Sequence, residues 1–136
     1  MKLFFSVLAL SLISVQSFAG AAPDSVGSVE CSISFGGPSN GTFDNKKVDI
    51  IRDSTSTNTW SASLSLDAKN GYSCKAVSQV FISSDGQASA EVGPMELTLP
   101  SGETITANNG SLVKKPYTMS LESSSGIHCD CIALAK

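Results

Sequence analysis

The segment Trp60-Ser61-Ala62-Ser63-Leu64-Ser65-Leu66 alternates apolar and polar residues without a break. A β-strand sends successive side chains to opposite faces, so this spacing makes one dry face and one wet face. The same alternation runs through Val29 to Phe35, Met95 to Leu99 and Tyr117 to Leu121. No window carries apolar residues at the three-and-four spacing of an amphipathic helix. The chain is therefore expected to be all-β.

Turn residues fall between these segments, at Asn70-Gly71, Asp85-Gly86, Ser101-Gly102, Asn109-Gly110 and Ser125-Gly126. Glycine reaches positive φ without steric cost, and Asn or Asp tolerates it, as tight hairpins require. Strands are predicted over roughly 28–35, 46–52, 59–67, 72–83, 87–93, 95–99, 103–107, 112–122 and 126–135. Short links favour antiparallel pairing of sequential strands. The expected architecture is a single antiparallel β-sandwich or closed β-barrel of about eight or nine short strands, meander-rich and disulfide-stabilised. Pro116 interrupts one segment and so places that strand at an edge or a bulge. Residues 36–45 and 53–59 read as the two longer loops. Asn40-Gly41-Thr42 and Asn109-Gly110-Ser111 are glycosylation sequons, but Asn-Gly is first a turn signal.

The N-terminus follows a different rule. Met1-Lys2 is positive, Leu3 to Val15 is apolar with three serines, and Ser17-Phe18-Ala19 offers small residues at the positions a signal peptidase reads. Residues 1–19 are expected to be a cleaved secretory signal, 20–27 a flexible lead-in and 28–136 one domain. The apolar run is shorter than the ~20 residues a membrane helix needs, and no membrane span is expected after cleavage. Lys2 is the only charge in residues 1–19, so cleavage takes the net charge from −3 to −4. That mildly acidic balance, with Lys46-Lys47 and Lys114-Lys115 as isolated basic pairs, argues against nucleic acid as a partner.

Export gives the four cysteines their meaning. In an oxidising compartment, Cys31, Cys74, Cys129 and Cys131 read first as two disulfides. Cys129 and Cys131 are two apart on an alternating strand and share a face, too far apart to bridge each other. One is expected to pair with Cys31 and the other with Cys74, in either combination. Cys31 lies in the first strand, so the last strand must return to it.

Chemistry-bearing motifs are few. His128-Cys129-Asp130-Cys131 contains the chain's one histidine and suggests a metal or thiol-redox site built on Cys129 and Cys131. Alternation opposes it, because His128 and Asp130 would face away from both cysteines. No Gly-x-Ser-x-Gly elbow and no phosphate-cradling glycine loop is present. The function expected is a non-enzymatic binding module, periplasmic or secreted, without a cofactor, whose partner is another protein or a ligand of that compartment. Contacts are expected from Asn40, Asp44, Asp53 and Asn58 in the two long loops, because loops on rigid scaffolds carry recognition. His128 and Asp130 are secondary candidates. The alternatives are the metal or redox protein and a structural or adhesin subunit of the cell surface.

Overall fold

The alternating segments bury their dry faces by pairing into two four-stranded antiparallel sheets, packed face to face as a β-sandwich. The structure is a computed structural model that describes residues 24–36, 41–68, 70–108 and 117–136. The expected signal segment, Asn40, the Asn109-Gly110 turn and Pro116 lie outside the described residues.

In chain order the strands are β1 (Ser25–Phe35), β2 (Thr42–Ile51), β3 (Thr59–Asp67), β4 (Ser73–Ile82), β5 (Ala88–Thr98), β6 (Thr104–Ala107), β7 (Tyr117–Glu122) and β8 (Ile127–Ala135). One sheet has the order β2-β1-β8-β7 and the other β3-β4-β5-β6. The chain makes a hairpin in the first sheet, a four-strand meander in the second, and a closing hairpin back in the first. The last strand thus lies beside β1, as the cysteines require. β2 stacks over β3, β1 over β4, β8 over β5 and β7 over β6.

Odd residues of β1 and β8 meet even residues of β3 and β4 in the core. Val29, Ile33 and Ala133 face Leu64, Ala76 and Val80, and all six are buried. The change between sheets at β2 to β3 is bridged by a side chain. Lys46 lies opposite Cys31, hence on the core side of β2, and its ammonium donates to Ser65 O at 3.0 Å.

Three boundaries differ from the sequence reading. β1 starts at Ser25, inside the expected lead-in, because a bulge between Ser25 and Gly27 shifts its phase and hides the alternation. β2 starts at Thr42, so Asp44 belongs to a strand and not to a loop. A polar edge strand shows little alternation, and its pairing with β1 fixes it instead. The expected strands 87–93 and 95–99 are one strand, β5. Between Ala76↔Met95 and Ser78↔Val92, the two residues Gly93 and Pro94 oppose the single residue Val77. Inward positions before this bulge are even (Ala90, Val92) and after it odd (Met95, Leu97). That phase change is what two separate strands would also produce. Gly93 has φ 146°, a conformation that favours glycine.

Candidate functional site

The four cysteines form two disulfides, Cys31–Cys131 and Cys74–Cys129, and all four are fully buried. Cys31 and Cys131 are direct partners across the β1–β8 ladder, with Cα atoms 4.1 Å apart. Cys74 and Cys129 join the two sheets, with Cα atoms 6.2 Å apart. Cys129 and Cys131 therefore share the inner face, as their spacing demands. The sulfurs of Cys74, Cys129 and Cys131 lie within 4.8 Å of one another, a cluster that thiols could offer to a metal. No cysteine is free, however, and a disulfide sulfur is not the thiolate that metal binding or exchange requires.

His128 and Asp130 lie on the other side of β8, on the outer face of the first sheet. Cross-strand register sets them in two neighbouring rows. One row runs Glu122, His128, Ser34, and the next runs Ser120, Asp130, Ser32, Asn45. His128 Nε2 is 3.5 Å from Glu122 Oε1. The first row has the order acid, base, hydroxyl, but Ser34 Oγ is shielded from solvent and has no hydrogen-bond partner among the described residues. It is therefore not activated by the imidazole. In the second row Ser120 Oγ donates to Asp130 Oδ1, while Asp130 Oδ2 is shielded and has no partner among the described residues. Beside it is a depression of about 280 Å³ lined by Glu30, Ser32, Thr42, Asn45, Thr118 and Ile132 together with Asp130. A shielded carboxylate oxygen without a donor favours a ligand that supplies one.

The loop residues are largely used by the loop itself. Asp53 and Asn58 lie between β2 and β3. Asp53 Oδ1 accepts from Thr55 Oγ1 at 2.6 Å and from Thr55 N at 3.0 Å. The hydroxyl contact foremost holds its carboxyl below the ordinary carboxylate value. Trp60 Nε1 donates to Asp53 O at 3.2 Å, and the Arg52 guanidinium stacks 4.9 Å over the Trp60 ring. Asn58 Oδ1 accepts from Thr59 Oγ1 at 3.2 Å. Asp44 Oδ1 accepts from Asn45 N at 2.9 Å, within β2.

A second concavity, larger than the depression beside Asp130, was not anticipated from the sequence. A groove of about 480 Å³ crosses the outer face of the second sheet, from Ser63 and Ser65 on β3, past Lys75, Val77, Pro94 and Glu96, to Thr106 and Asn108. The β5 bulge makes it, because Gly93 has no side chain and Pro94 turns its ring outward opposite Val77. The serines of β3 keep one wall low. Lys75 Nζ sits 3.8 Å from Glu96 Oε1 within the groove. The sequence signal was the phase change at Gly93-Pro94, which alone does not reveal which strands lie beside it.

No protein-family model, curated protein or solved structure matches the chain.

Proposed function

We propose that the chain is an exported, non-enzymatic binding module that takes its ligand in the groove across β3 to β6. The groove itself carries this reading. Its volume lies within the ~300–1,000 Å³ common for ligand sites. Val77 and Pro94 supply an apolar floor, and Ser63, Ser65, Thr106 and the Lys75–Glu96 pair supply polar handles. The ligand this suits is an extended amphipathic one, such as a peptide segment with small apolar side chains. Two buried disulfides suit an oxidising compartment, and export is supported by the sequence of residues 1–19. An N-terminus at Gly20 in protein recovered from that compartment is the check on export.

A second reading is favoured by Asp130. Its unpartnered Oδ2 beside Glu30 suits a ligand bearing an ammonium or hydroxyl donor, bound on the opposite face of the molecule. One experiment separates the two. Ligand captured from the export compartment by the wild-type chain is compared with that captured by Thr106→Trp, which fills the groove, and Asn45→Trp, which fills the depression. Loss with Thr106→Trp alone is the expected result. Loss with Asn45→Trp alone moves the site to the first sheet, and full retention by both variants rejects both sites.

A further inference from the structure

The four outermost strands of the sandwich are not equally protected. Exposed edges are normally blunted by charge, proline, bulges or shortness, because their free N–H and C=O groups recruit other strands. β2 carries Asp44, Lys46, Lys47 and Asp49. β6 has 4 residues and β7 has 6. β3 has 9 residues, pairs with β4 without a bulge, and carries no charge before Asp67.

The backbone groups that β3 leaves open can be named. Ala68 N donates to Tyr72 O and Ile82 N to Asn58 O, which puts the hydrogen-bonded pairs of the β3–β4 ladder at even β3 residues. Odd residues therefore point their N–H and C=O away from β4. Two of these groups already have partners: Thr59 N donates to Ser56 Oγ at 3.0 Å, and Ser65 O accepts from Lys46. Among the described residues the groups left open are Thr59 O, both groups of Ser61, both groups of Ser63, Ser65 N and both groups of Asp67 at the strand's end.

We propose that β3 is a self-pairing edge, through which two copies of the chain join antiparallel about a twofold axis at Ala62. In that register Ser61 faces Ser63 of the second copy. Ser61 N meets Ser63 O, Ser63 N meets Ser61 O, and Ser65 N meets Thr59 O, each twice by symmetry. From Thr59 to Ser65 every open group finds a partner, the two groups already satisfied fall outside the set, and the groups of Asp67 extend past the paired stretch into solvent. Ala62, whose small side chain suits the close non-hydrogen-bonded position, faces its own copy. No like charges oppose each other between residues 59 and 65. The second sheets merge into one continuous eight-stranded sheet. Assembly stops at two copies, because the other outer strands are charged or short. The pairing uses the backbone of β3, while Thr106→Trp fills the groove from β6 at the far edge and leaves that backbone untouched.

The test is sedimentation velocity of the exported chain from micromolar to about 1 mM, with hydrogen exchange of the Ser61, Ser63 and Ser65 amides. Two variants accompany it. Ser63→Pro removes an N–H that the monomer leaves open, and Ser61→Lys adds the charge that edges usually carry. The expected result is a dimer in the wild type, with those three amides protected only where it forms. Each variant weakens the dimer by about tenfold or more while keeping the monomer's fold. A wild type still monomeric at the highest concentration overturns the proposal. So does a dimer whose affinity neither variant changes, or one in which those amides exchange freely, since it would then use another surface or a foreign strand.

Discussion

Gly27 sits where β1 passes close to both its neighbour strand and the opposite sheet. A Cβ there would lie 2.3 Å from Leu134 O and 2.6 Å from Val80 Cγ2. The first of these atoms is backbone and cannot rotate away. Gly27→Ala must therefore push β8 outward or move Val80 in the core, at ~1–3 kcal/mol, the usual cost of overpacking. Urea unfolding should show a lower midpoint with an unchanged slope, and a midpoint equal to the wild type would mean that the strands part easily there. Nothing in the sequence marks Gly27 for this role, because the close approach depends on Leu134, more than a hundred residues away. The faces of His128, Asp130 and the cysteines could be read from parity alone. The unpartnered oxygen of Asp130 could not, since it depends on which neighbours the register supplies.

Between elements, the two disulfides do different work. Cys31–Cys131 links strands that are already hydrogen-bonded neighbours, whereas Cys74–Cys129 is the disulfide that ties the two sheets together. Cys74→Ala alone would free Cys129 within 4.8 Å of the Cys131 sulfur and invite exchange. The clean comparison is the double variant Cys74→Ala with Cys129→Ala. It should lose ~2–5 kcal/mol in denaturant unfolding while its remaining cysteines resist thiol reagents. A loss near zero would show that packing alone holds the sheets together. The fact that the last strand supplies both bridges was legible from the two-residue spacing of its cysteines. Their assignment was not, because it depends on β8 lying beside β1 and close enough to β4 for Cys129 to reach Cys74. In the same way, the alternation located the two halves of β5. It could not distinguish a bulge at Gly93-Pro94 from a break, since both shift the inward phase by one residue.

At the scale of the whole molecule, the choice between sandwich and barrel rested on contacts that side-chain periodicity does not encode. Successive strands pair everywhere except from β2 to β3 and from β6 to β7, where the chain changes sheets. At the first change a lysine side chain on β2 spans the gap to Ser65, where a barrel would have ladder hydrogen bonds. The first sheet is thus closed by the two ends of the chain, with β8 between β1 and β7. Removing residues 127–136 takes away the pairing of β7, one side of β1, four buried core side chains and a partner of each disulfide. For a domain whose net stability is ~5–15 kcal/mol, losses of that kind exceed what remains. A chain ending at Gly126 should show no cooperative unfolding transition, and its Cys31 and Cys74 should react fully with a thiol reagent. If it instead melted cooperatively, the meander β3 to β6 would be a folding unit in its own right. The first sheet would then be a cover laid on a preformed half, not a partner without which neither sheet can bury its face.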